Sequence, residues 1–255
     1  MAAAKRWKAR RLPLKWNSKT YRNHLVILLV TGLMHTGVSL HAQDQTLKKH
    51  YPSTGKVKEI FHIQVAGGDT IKQGPYHYYF PNGNLGQEGS FKNNRLDSLW
   101  HLYYETGELK KKIHYQNGLR HGPYRVYYKN GKLKQAGQYR NDQLDGIFKT
   151  YYQDDTLESV SSYRNGRQEG WIKIYYPDGT LYKKFQATYG REKGTWKQYY
   201  EDGSLNYAGK RINGQFTDTL RVYYKNGQLQ RLCLYTHGRL DGPYKAFHEN
   251  GQIMT

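Results

Sequence analysis

Between residues 122 and 145 the chain reads GPYRVYYKNGKLKQAGQYRNDQLD, with apolar and polar positions alternating on either side of a short polar break. Alternation of period two, rich in aromatic and β-branched residues, predicts two strands. The Asn130-Gly131 pair between them predicts a two-residue hairpin turn of type I′, whose central residues both need positive φ. That turn aligns Tyr128 with Leu133, Val126 with Gln135 and Tyr124 with Gly137 on one face. The segment RNDQLDG then returns the chain to the next hairpin. After residue 43 apolar residues nowhere recur at helical spacing over a dozen positions, so no helix is expected there.

The pattern repeats every 24 residues without a slip. Its turn glycine falls at Gly83, Gly107, Gly131, Gly179, Gly203, Gly227 and Gly251, with Asp155 in the remaining place. Four residues earlier stand Tyr79, Tyr103, Tyr127, Tyr151, Tyr175, Tyr199, Tyr223 and Phe247; two residues later stand Leu85, Leu109, Leu133, Leu157, Leu181, Leu205, Leu229 and Ile253. The fold class expected is all-β: an elongated single antiparallel meander of about eight 24-residue hairpin repeats, each burying one face beside its neighbours.

The packing face reads Tyr76, Trp100, Tyr124, Phe148, Ile172, Trp196, Leu220 and Tyr244 in one column and Phe91, Tyr115, Tyr139, Tyr163 and Tyr235 in another. The second column breaks at Ala187 and Arg211, which marks those units as the expected weak point. Cys233 occupies a position filled elsewhere by Ile113, Gly137 and Phe185, and reads as a small buried hydrophobe. As the sole cysteine it excludes an internal disulfide and a thiolate metal cluster.

The opposite face carries His77, His101, Arg125, Lys149, Lys173, Lys197, Arg221 and Lys245 in one column, with the Tyr79 to Phe247 column two residues on. Acids collect in turns and loops, as at Asp97, Asp145, Asp178, Asp202 and Asp241. At roughly 9.6 Å per repeat, a positive stripe beside a stripe of phenols should run on the order of 65 Å. A face kept only for solubility would mix in acids, so this one is the candidate binding surface for an anionic partner: a phospholipid or lipopolysaccharide headgroup, an acidic glycan or an acidic protein.

Composition bounds the rest. The 255 residues are 37% hydrophobic and 15% aromatic, with 26 Tyr against 7 Phe, too polar for a large two-layer enzyme core and too aromatic for disorder. The formal charge is +20, and eight Lys or Arg with no acid lie in the first 42 residues, so 40 − 8 = 32 bases against 20 acids leave about +12 beyond them. Residues 1–42 read as a signal peptide with a long basic leader, the run LVILLVTGLM as its apolar core and cleavage after Ala42. The alternative is an uncleaved membrane anchor over residues 25–40. Residues 43–73 read as a linker and degenerate first repeat, and 74–255 as the array. Export to the periplasm, the outer-membrane periphery or the medium disfavours nucleic acid. The scattered histidines supply no catalytic or metal constellation, and the glycines sit in hairpin turns rather than in a phosphate-cradling loop. No enzyme and no cofactor are expected.

The motif G-x-Y/W-x-x-Y-Y-x-x-G-x-L with its NGxxxG return, as in NGLRHGPYRVYYKNGKL and HGRLDGPYKAFHENGQI, resembles the MORN-repeat proteins, and more closely the bacterial MORN-variant, antitoxin-like family. The resemblance covers about residues 74–255, although Ser98 and Asp218 stand where the opening glycine belongs. It implies a non-enzymatic scaffold, dimerisation module or phospholipid-binding platform, or a neutraliser of a partner toxin. The tandem aromatic repeats also look like cell-wall-binding repeats, which implies a carbohydrate-binding module with aromatic pockets between hairpins. The final HENGQIMT stops partway through a hairpin, leaving an edge open to self-association.

Overall fold

The computed structural model describes residues 43–66 and 68–254. The expected leader, apolar run and cleavage point lie outside the described residues. The described residues form one sheet of 19 strands and no helix. The strands are β1 (Gln43–His50), β2 (Val57–Ala66), β3 (Asp69–Tyr79), β4 (Leu85–Lys92), β5 (Arg95–Tyr103), β6 (Leu109–Gln116), β7 (Leu119–Tyr127), β8 (Leu133–Arg140), β9 (Gln143–Leu144), β10 (Gly146–Tyr151), β11 (Leu157–Arg164), β12 (Arg167–Gln168), β13 (Gly170–Tyr175), β14 (Leu181–Thr188), β15 (Arg191–Tyr199), β16 (Leu205–Ile212), β17 (Gln215–Tyr223), β18 (Leu229–Thr236) and β19 (Arg239–Ala246). All pairings are antiparallel and join neighbours in sequence, from β1 with β2 to β18 with β19. β9 and β10 both pair with β8, as β12 and β13 both pair with β11, so each couple is one strand interrupted by a single residue. The sheet is the all-β hairpin meander the repeat predicts. The segment expected as linker and degenerate repeat supplies β1 and β2.

Each unit holds two kinds of turn, placed the other way round from expectation. At Asn130-Gly131 only the glycine has positive φ, +80°. Tyr128 N–H donates to Lys132 O at 2.9 Å and Gly131 N–H to Tyr128 O at 3.0 Å. That is a three-residue loop, a type I turn closed by a left-handed glycine, with a bulge in the strand that follows. Val126 and Tyr124 face Gln135 and Gly137 as predicted, but Tyr127 rather than Tyr128 lies opposite Leu133. Asn130 is present for its side chain, whose Oδ1 accepts the Lys132 N–H at 3.1 Å. The two-residue turns with both φ positive lie at the other edge: Asn117-Gly118 at 52° and 85°, Asn141-Asp142 at 49° and 66°, Asn165-Gly166 at 50° and 75°. The RNDQLDG return is therefore itself a hairpin.

A further left-handed residue opens each unit, and there the odd strand takes up extra length: His121, Gly122 and Pro123 are set against His114 alone. Ser98 and Asp218 adopt the same conformation without glycine, at φ 61° and 65°. Asp218 accepts the Thr219 N–H at 2.7 Å and pairs with Lys210 Nζ at 3.0 Å, local bonds that help hold the strained backbone.

Every buried side chain among the described residues lies on the packing face, with Ile172, at 3% exposure, among the deepest. At the expected weak point the gap in the column is filled, although the buried Trp196 Nε1 and Arg211 Nε have no hydrogen-bond partner among the described residues. Ala187 is buried with Ile172, Phe185 and Trp196 in one apolar cluster. The Arg211 guanidinium lies 4.5 Å from the Trp196 ring centroid and 4.2 Å from that of Phe216, while its Nη1 pairs with Glu192 at 2.7 Å. The two rings stand at 88° to each other, and a cation held close to both while answering a carboxylate fills the place of the missing aromatic. Elsewhere on this face small residues make room for large ones. A Cβ on Gly89 would come within 2.2 Å of the Trp100 ring, and one on Gly137 within 2.7 Å of Phe148. Cys233 is buried, and burial pushes its thiol up from the ordinary value.

Both turn edges are stitched from unit to unit. On the glycine-loop edge the phenols of Tyr104, Tyr128, Tyr152, Tyr176, Tyr200 and Tyr224 each donate to the carbonyl 23 residues ahead, at 2.7–3.0 Å. On the other edge Gly118, Asp142 and Gly166 N–H donate to Leu96, Arg120 and Leu144 O at 2.8, 3.0 and 2.8 Å. In these six units the second tyrosine of the YY pair is thus a bridge to the next repeat.

Candidate binding face

The turns and bulges hold all strands in one register, and that register sets the chemistry of the second face. Directly opposed pairs run without interruption through His77, Glu88, His101, Lys112, Arg125, Ala136, Lys149, Val160, Lys173, Lys184, Lys197, Ala208, Arg221, Leu232 and Lys245. All eight basic positions expected from the repeat fall in this one row. Arg125, Lys149, Lys173, Arg221 and Lys245 are exposed, and His77, His101 and Lys197 are half-buried.

The row is uneven. Glu88 sits between the two histidines, 3.0 Å from His101 Nδ1, and accepts the Tyr103 hydroxyl at 2.6 Å. Burial, helped by that carboxylate, pushes the Tyr103 phenol up to about 12. The acid balances the histidine end. From Lys112 onward no acid interrupts the row, and Lys112 and Lys184 add charge from the intervening strands. Lys173, Lys184 and Lys197 stand directly opposite one another on β13, β14 and β15. Among the described residues none of the three is in an ion pair. Like charges facing across a sheet are destabilising.

One row away on the same face, Tyr79, Tyr103, Tyr127, Tyr151, Tyr175, Tyr199, Tyr223 and Phe247 are half-buried. Carbonyls of this column, from Tyr127 to Phe247, accept the inter-repeat phenols, so the column is built into the frame. His77 stacks on Tyr79 with ring centroids 6.4 Å apart. On the other flank of the basic row lies a line that the repeat columns did not single out: Leu99, Ile147 and Trp171 are 39%, 52% and 41% exposed. Each precedes a basic residue by two and so shares its face. The Lys184 Nζ lies 5.8 Å from the Trp171 ring centroid. Its mixed composition hides this row from a column reading.

Among the described residues no group of three or more His, Cys, Asp or Glu is placed to hold a metal ion.

A family model described as a MORN repeat variant matches residues 72–93, 97–117, 120–141, 144–165, 192–211, 219–237 and 240–255. The units opened by Ser98 and Asp218 are matched. The unmatched stretch between 165 and 192 contains β13 and β14 with the same bridge, Tyr176 Oη to Tyr199 O at 3.0 Å. Among curated proteins none matches this chain. Solved structures similar to it include a crystal structure of TcdB2-TccC3, at 12% identity and a TM-score of 0.23 over 83% of this chain and 15% of that one. This chain therefore spans a small part of the length of that protein. Seven family matches, together with 24-residue hairpin units bridged at both edges, place it: the chain belongs to the MORN repeat variant family.

Proposed function

We propose that this protein binds a linear anionic partner along the row from Lys112 to Lys245, holding it as a scaffold without chemical conversion. Repeat arrays of this family are suited to binding and scaffolding, and the row is the feature that gives this array a preference. The observation that carries the reading is the facing trio Lys173, Lys184 and Lys197. Three like charges in register cost stability unless an outside counter-charge offsets the repulsion. The core lies entirely on the other face, so this row is not needed for packing. With residues 1–42 read as an export signal, the partner belongs among envelope components.

The test is the variant Lys149→Glu, Lys173→Glu, Lys197→Glu. Each new carboxylate in the last two positions faces Lys184, so the folded state should be as stable as wild type or more so. Retention of the full chain on an anionic polymer should fall sharply at low salt, and wild-type retention should weaken as salt is added. Equal retention of variant and wild type at low salt overturns the reading.

A further inference from the structure

We infer that the anionic partner is an acidic polysaccharide, its sugars lying on the exposed row beside the lysines; this rests on the polyanion reading above. The apolar side chains of that row contribute nothing to the core, which is on the opposite face. Trp171, 41% exposed, presents a large ring with a polar N–H outside the core. Pro123, Ile147 and Trp171 are directly opposed in register by Gln138, Ser162 and Gln186. From β7 to β14 apolar surface and hydrogen-bonding groups therefore alternate, and charge runs parallel one row away.

A uronate sugar has that same division. Its C–H face is apolar, its hydroxyls need hydrogen-bond partners, and its carboxylate projects from the ring edge. Trp171, with Lys184 5.8 Å from its ring centroid and Lys173 two residues on, places a stacking surface and two cations within reach of one sugar. Strands repeat at about 4.8 Å, comparable with the length of one sugar in a chain, so a polymer lying across the strands meets charge at about every second sugar, and at three in succession over Lys173, Lys184 and Lys197. A bilayer would favour a continuous apolar patch, which the amides and hydroxyl interrupt. An inorganic polyphosphate has no use for the ring. A single-stranded nucleic acid would be served by aromatic platforms at successive positions, and here the one tryptophan is followed by Ile147 and Pro123 on one side and by Thr195 on the other.

The experiment compares binding of the full chain to polygalacturonate, its neutral methyl ester, polyphosphate, oligo-thymidine and phosphatidylglycerol vesicles. Polygalacturonate should bind best, with affinity falling as salt rises. Trp171→Ala should weaken that binding by about tenfold, leave polyphosphate binding and the thermal midpoint unchanged, and be largely rescued by Trp171→Phe. If polyphosphate, vesicles or oligo-thymidine bind best, or if Trp171→Ala binds polygalacturonate as wild type does, the glycan inference fails while the polyanion reading stands. Preference for the methyl ester, or no binding to any polyanion at low salt, overturns both.

Discussion

The Tyr128 hydroxyl donates to the backbone carbonyl of Tyr151 across 2.7 Å, tying the loop of one repeat to the last strand residue before the next loop. The bond recurs through the array and is missing where the column holds Phe80. Tyr128→Phe should cost about 1 kcal/mol, the usual net value of one such bond. Phe80→Tyr should gain a similar amount by reaching Tyr103 O. Chemical unfolding of the two single variants checks both signs, and loss or gain in the same direction for both would refute the bridge.

Arg211 should be unusually sensitive for a charged residue on a sheet. Arg211→Ala removes its cation from beside the Trp196 and Phe216 rings and leaves Glu192 unanswered, a loss of about 2–3 kcal/mol. Arg211→Lys should recover only part of it, because a compact, strongly hydrated ammonium is poorly suited to a place between two rings. Tryptophan emission should shift to the red in the alanine variant as water reaches Trp196.

High pH should unfold this array through its phenols. Burial raises the pKa of Tyr76 and Tyr124, the latter to about 12, whereas phenols in an unfolded chain ionise near 10. The folded state holds these protons more tightly, so their stabilising contribution is complete below about pH 10 and is lost as pH rises toward 12. Denaturant midpoints measured across that window should fall steeply. Tyr124→Phe, which has no proton to lose there, should flatten the decline.

Period, strands and faces were legible because three in-phase columns and strict alternation leave little freedom. The turn types were not, since Asn-Gly suits both a two-residue loop and a type I turn closed by glycine. What separates them is the hydrogen bond from Tyr128 N–H to Lys132 O, a relation between backbone atoms. The basic column was legible residue by residue, but its continuity was not. Lys112 and Lys184 share their position with Glu88, Ala136, Val160 and Ala208, a mixture with no repeat signature, and only register brings them into line. Arg211 read as a break because its charge was counted and its flat guanidinium was not.

The bridges at the two turn edges also decide how the array would bear load. A partner lying along the basic row pulls across the strands, so the backbone bonds between them are stretched end-on and one after another. The phenol bonds span 23 residues and bypass the strand between, acting in parallel with that chain of links. At the joint lacking a phenol, the Asn82 and Asn84 amides both donate to Glu105 O at 2.9 Å and carry the load instead. A hairpin cannot peel away until its neighbours release it at both edges. Under tension the sheet should therefore lengthen in steps of whole repeats, each unit yielding as a block while the rest keeps its grip.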